Sequence, residues 1–202
     1  MNDISIYSCA SSDLNKEVLY YQKLVFEFFN LEIQQIIKED FVHGLVLDNI
    51  IKNCVSENII IFDVDCIPLK IDFLQKIIHQ IKDGNTLSGA VGCANHIDSS
   101  FTYIHSCFMA FKKQLYLDCG TPSLNSYGFD TCGKFTQVCI EKNKNIKYWN
   151  ITDRGDSIWD TPDNGKFGHG TVYENLIYDQ YEIRKPQYST PFIKKCKEII
   201  NK

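Results

Sequence analysis

Two aspartates one residue apart follow a run of four apolar residues, Ile59-Ile60-Ile61-Phe62-Asp63-Val64-Asp65-Cys66-Ile67-Pro68. On an extended chain, side chains alternate with a period of two, so Asp63 and Asp65 are expected to point the same way. Two carboxylates on one side of a strand end suit a hard divalent cation, Mg2+ or Mn2+. Such an ion keeps open positions for substrate phosphates. Pro68 is expected to end the strand.

The elements that must position this pair read from the periodicity. Ile4–Cys9, Leu31–Ile37 and Asn58–Phe62 have strand character. Leu14–Phe29, Phe41–Cys54 and Ile71–Ile81 carry apolar residues at helical spacing. The order βαβαβα predicts an α/β fold with a mostly parallel, Rossmann-like sheet covered by helices on both faces. Ligands of such sheets bind beyond the carboxyl ends of the strands. That rule selects Ser8–Asp13 after the first strand and Asp63–Asp65 after the third. Strands are further expected at Leu87–Cys93, Tyr103–Phe111 and Ile146–Trp149, with a helix over Phe129–Asn143. Residues 150–170 read as a long loop. An aromatic tail then leads to a basic helix over Phe192–Lys202, whose Lys194, Lys195 and Lys197 are expected to form a solvated face, with phosphate or membrane contact as the alternative.

Composition narrows the function. The chain has 202 residues and a net charge of -4, and its only arginines are Arg154 and Arg184. A nucleic-acid partner is not expected, because phosphate backbones require a basic surface. The nine cysteines form no Cys-x-x-Cys pair. They are expected to be reduced, buried small hydrophobes, which places the chain in the cytoplasm. No run reaches the roughly 18–20 apolar residues of a membrane span, and no secretory signal is evident. One domain is expected over 1–202, with a nucleotide-binding half at 1–70 and an acceptor half with the tail at 71–202.

The segment Ile59 to Pro68 resembles the Asp-x-Asp segment of nucleotide-sugar glycosyltransferases with the GT-A fold. Tyr127-Gly128-Phe129-Asp130 and the residues after it, to Tyr148, resemble the later part of that fold, where an acidic pair opens a helix. Gly168-His169-Gly170 lies where many members place a histidine that completes the metal site. The resemblance covers residues 3 to 175. It implies a family-2-like, metal-dependent hexosyltransferase that moves a sugar from a nucleoside-diphosphate donor to a glycan or other hydroxyl acceptor. Mn2+ or Mg2+ would be held by Asp63, Asp65 and His169. Asp130 would be the general base of an inverting reaction, or the helix N-cap. Ser8, Ala10 and Asp13 would contact the nucleoside, with Asp63 as a ribose contact. Ser12 or Asp13 equally caps the next helix. Phe129 stands where the family has the first acid of the pair.

Three side readings remain open. An apolar strand followed by Asp-x-Asp also opens haloacid-dehalogenase-like phosphatases, and Gly155-Asp156-Ser-Ile-Trp-Asp160 is similar to their later motif. Their threonine, however, is Ile67 here. A non-catalytic binding protein of the same fold would also fit Phe129. His105, Tyr148, Trp149, Trp159, Tyr173 and Tyr178 are expected to be core residues, with stacking on sugar or acceptor as the alternative for the aromatics.

Overall fold

The computed structural model describes residues 3–93, 101–161 and 165–202, without the side chains of 157–166. The first half follows the expected order: β1 (Ile4–Ser11), α1 (Lys16–Phe28), β2 (Ile33–Lys38), α2 (His43–Asn53), β3 (Asn58–Phe62). A short β4 (Cys66–Pro68) precedes α3 (Asp72–Ile81), β5 (Thr86–Cys93) and β6 (Thr102–Lys112). Then come α4 (Lys113–Asp118), α5 (Gly133–Glu141), β7 (Asn145–Trp149), β8 (Ile151–Asp153), β9 (Ser157–Thr161), β10 (Gly165–Gly168), β11 (Thr171–Tyr173), β12 (Ile177–Asp179) and α6 (Pro186–Ile200).

The central sheet has six strands in the order β2-β1-β3-β6-β5-β7. Neighbours are parallel except at β6, which runs antiparallel to both β3 and β5. All five residues of β3 are buried, because the sheet is covered on both faces. Alternation divides them. Ile59 and Ile61 join Leu47, Ile51, Phe111 and Phe135 under α2, α4 and α5. Ile60 and Phe62 join Phe26, Phe73, Phe108 and Trp149 under α1 and α3. Gly89 is set by a close approach. A Cβ there would lie 2.2 Å from the Phe108 carbonyl oxygen, at a bulge in the β5–β6 pairing.

A second, antiparallel sheet has the order β4-β12-β11-β8, and β9 pairs antiparallel with β10. The described residues of 150–170 are therefore largely strands and turns rather than the expected loop. Each of these strands is three to five residues long, too short to show a period. Pro68 ends a separate short strand and not β3. It sits in β4 at the edge of the small sheet, where a missing N–H is tolerated. The basic C-terminal helix starts at Pro186, earlier than expected, with proline in the first turn. Trp149 and Tyr173 are fully buried and Tyr178 nearly so, in keeping with core roles. Tyr148 is partly buried against the core. The side chains of Trp159 and Asp160 lie outside the described residues. All nine cysteines are buried thiols outside any disulfide. Among the described residues no helix is long and apolar enough to cross a membrane.

Candidate active site

The carboxyl end of β3 opens into a cavity of about 670 Å³. Asp63 and Asp65 line it, although not as an extended pair. The chain turns at once after β3, and the Cys66 N–H donates to the Asp63 carbonyl at 3.0 Å. The period-two inference holds only for extended backbone. Both carboxylates reach the cavity from a tight turn instead.

One buried side chain holds this turn. Gln22 on α1 donates through Nε2 to the carbonyls of Asp63 at 2.8 Å and Cys66 at 3.1 Å. Its Oε1 accepts from Ser8 Oγ and from Gln35 Nε2, each at 2.9 Å. Ser8 is thus engaged with α1, and Cys9, Ala10 and Ser11 at the carboxyl end of β1 line the cavity. Asp13 lines a smaller recess nearby with Arg184. The cap of α1 is Asn15, whose Oδ1 accepts from the Glu17 N–H at 3.0 Å, and not Ser12 or Asp13. We predict that Gln22→Leu, which orphans buried carbonyls, destabilises the fold by about 1–3 kcal/mol in a urea titration. A loss within error would show that the clamp is dispensable.

The two aspartates differ in charge environment. Burial alone would raise the Asp63 carboxyl. The positive imidazole of His43, with Nε2 at 2.9 Å from Oδ1, outweighs burial and holds it below the usual carboxylate range. Ser106 Oγ adds a hydrogen bond to Oδ2 at 3.3 Å. Nε2 of His43 lacks a well-aligned hydrogen bond, so this is an ion pair more than a directed bond. Burial disfavours the imidazolium, yet the charge of Asp63 prevails and raises His43 well above its ordinary value. Among the described residues Asp65 has no ion-pair partner of its own, and the His43 charge acts on it only weakly. Burial, and then the charge of Asp63, push it up to about 7. Asp179, opposite Cys66 in the β12–β4 pairing, also lines the cavity. It is raised by burial and by Asp65 and Asp63.

Asp130 joins the cavity from the segment between α4 and α5. The helix expected at 129 begins only at Gly133, and its N-cap is Cys132, in the left-handed region at φ 72°. The Asp130 carbonyl accepts from the Gly133 N–H at 2.9 Å, closing a turn before the helix. Its carboxylate is therefore not the cap, and it faces the cavity. Tyr103 Oη donates to Oδ2 at 2.7 Å and the Thr131 N–H donates to Oδ1 at 3.1 Å. His105 also lines the cavity instead of being only a core residue. Burial lowers its pKa below the usual value. Its Nδ1 accepts from the Cys107 N–H at 3.2 Å.

His169 stands one step back. Its Nε2 is 3.2 Å from Glu182 Oε2, and its ring stacks on Tyr188 at 3.8 Å. Glu182 lines the cavity and His169 does not. Asp63, Asp65 and His169 are not gathered within chelating distance. Among the described residues, the three donors that converge within 4.8 Å are Cys66, Cys107 and Asp179. Sequence reasoning also passed over Phe41, Arg184 and Lys185 on the cavity wall. The Arg184 guanidinium lies 5.6 Å from the Phe41 ring centre. The scarcity of arginine was the one signal that could have singled out Arg184.

A mannosyltransferase from Pyrobaculum calidifontis, solved with GDP-mannose and Mn2+, is similar in structure. The TM-score is 0.54 at 11% identity, over 72% of this chain and 54% of that one. The chain has a GT-A-like fold. It spans about half the length of that mannosyltransferase. HddC from Yersinia pseudotuberculosis matches at a TM-score of 0.49 and 11% identity, over 95% of this chain and 98% of that one. A CMP:2-keto-3-deoxy-manno-octonic acid synthetase complexed with CTP matches at 0.48 and 11%, over 80% and 94%. No protein-family model and no curated protein matches the chain by sequence.

Proposed function

We propose that this chain is a metal-dependent enzyme that transfers a sugar from a nucleoside-diphosphate sugar to an acceptor hydroxyl. The carrying observation is the placement of Asp63 and Asp65. They lie at the carboxyl end of the central strand, on a cavity whose other walls hold Asp130, Arg184 and Lys185. The likeness to a mannosyltransferase solved with GDP-mannose and Mn2+ supports the same reading.

The donor set fits a divalent ion. A partly buried and a buried carboxylate share one turn, and among the described residues only Asp63 is in an ion pair. Such a pair is stabilised by a hard cation with oxygen ligands, Mg2+ or Mn2+. Asp65 and Asp63 would hold it, and His169 would join only by exchanging Glu182 for the ion. When bound, the ion neutralises the leaving diphosphate. The chain's own residues do the rest. Ala10 and its neighbours allow close approach of the nucleoside, against Phe41. Arg184 and Lys185 add positive charge at the diphosphate. Asp130, oriented by Tyr103, takes the proton of the acceptor hydroxyl, which favours inversion.

A thermal-shift screen of nucleoside diphosphates and nucleotide sugars, with and without Mn2+, tests this. One nucleotide class is expected to raise Tm only with metal present. No shift with any nucleotide, together with cleavage of simple phosphate monoesters, would move the assignment to a phosphatase.

The acid groups give a pH signature. A carboxyl at about 7 in the fold and near 3.8 in the unfolded chain binds a proton on folding. Its stabilising protonation is lost as pH rises from about 4 through 7. His43, raised in the fold, works in the same direction at higher pH, because its contribution is present below the unfolded value and lost above the folded one. We predict that Tm in EDTA falls between pH 5 and pH 8, and that Mn2+ offsets most of the fall at pH 8 but little at pH 5. A flat metal-free profile would contradict this.

A further inference from the structure

Behind the acidic turn lies a second group of donors that sugar transfer does not use. Cys66 is on β4, Cys107 on β6 and Asp179 on β12. Their ligand atoms all lie within 4.8 Å of one another, and each residue is at most 1% exposed. We propose that Cys66, Cys107 and Asp179 form a buried binding site for a borderline-soft divalent cation of the Zn2+ class, separate from the carboxylate pair.

Four observations carry this. First, the donors come from three strands fixed by pairing. The Asp63 N–H donates to the Cys107 carbonyl at 2.9 Å, and Asp179 is opposite Cys66. Sites on strands are held more tightly than sites on loops. Second, Asp179 Oδ2 is buried without a hydrogen-bond partner. An orphaned buried carboxylate oxygen is costly, and a cation satisfies it. The Tyr173 hydroxyl, also fully buried, lacks a well-formed hydrogen bond as well. Third, the geometry is close to what zinc needs. Donors around a tetrahedral Zn2+ stand about 3.3–3.8 Å apart, so closure needs shifts of about 1 Å. Fourth, there is a way in, because Asp179 lines the cavity.

The donor chemistry separates the two sites. Thiolates select Zn2+, Co2+ or Cd2+ over Mg2+ and Mn2+, whereas Asp63 and Asp65 offer only hard oxygen. Binding needs no oxidant. The two thiols each release a proton to water as the metal–sulfur bonds form, and Asp179 releases its proton where it carries one. The assignment stands whether or not the chain transfers sugar.

The test is a Co2+ titration of the reduced, EDTA-stripped full chain, read by the thiolate-to-cobalt charge-transfer band. One equivalent is expected to give the band, with excess Mg2+ unable to remove it. Cys66→Ala and Cys107→Ala should each lower Co2+ affinity by at least about 100-fold, more than the loss of an outer partner does. Cys119 and Cys139, whose sulfurs are 3.6 Å apart, are the control pair. Cys119→Ser/Cys139→Ser and Asp65→Asn should both keep the band. X-ray absorption at the cobalt edge of the wild-type chain should show two sulfur ligands, which removes any dependence on variant folding. No stoichiometric band in the wild type, a band that survives Cys66→Ala or Cys107→Ala, or a cobalt shell without sulfur would each overturn the proposal.

Discussion

Asp65→Asn is expected to lower kcat/KM for sugar transfer by at least about a thousandfold, and to raise the Tm of the metal-free protein at pH 8. The first effect follows from the role proposed for the carboxylate. A cation on the leaving diphosphate contributes several kcal/mol at the transition state, and each 1.36 kcal/mol is tenfold in rate. The second effect follows from burial. Asp65 is desolvated next to the charge of Asp63, which pushes it up to about 7. An amide of the same size removes that repulsion. The two effects have opposite signs, so a misfolded variant cannot mimic the pair. Steady-state rates at saturating Mn2+ and melting curves in EDTA measure them. Activity within tenfold of wild type would remove Asp65 from the metal site.

Asp130→Asn is expected to lower kcat by about 10²–10⁴-fold, the range of general-base catalysis, with metal-dependent donor binding unchanged. Asparagine keeps the shape and can still accept from the Thr131 N–H, which now meets the carboxylate at 3.1 Å. It cannot take the proton of an acceptor hydroxyl. Tyr103→Phe tests orientation, because Tyr103 Oη holds the other oxygen at 2.7 Å. We expect a smaller loss, about tenfold. With Phe129 where the resembled family has the first acid of the pair, the proposed role falls on Asp130 alone. A rise in KM for the donor at constant kcat would instead make Asp130 a donor-binding group.

The central sheet was legible because its elements are long and strongly patterned. Ile59–Phe62 is a run only a doubly covered strand tolerates, and α3 presents Phe73, Ile77 and Ile81 to the core at helical spacing. The small sheet was not legible. β4, β8, β11 and β12 have three residues each; β11 and β12 pair across a short turn, but β8 and β4 join them from far away in sequence. That failure hid Asp179, which reaches the site only because β12 pairs with β4. It also hid Gln22, a polar residue within an amphipathic helix whose partners are carbonyls 41 and 44 residues on. His43 opens α2 and gives no local sign that it neutralises Asp63. The acidic motif itself was visible, but its turn was not, since alternation describes extended chain alone.

The most direct measurement is product identification by ³¹P NMR. The chain is incubated with a panel of nucleoside-diphosphate sugars, Mn2+ and hydroxyl acceptors, in parallel with Asp65→Asn. Metal-dependent release of a nucleoside diphosphate from one donor, absent in Asp65→Asn, is the predicted result. Release of pyrophosphate from a nucleoside triphosphate and a sugar phosphate, or no phosphorus product from any donor, would contradict sugar transfer.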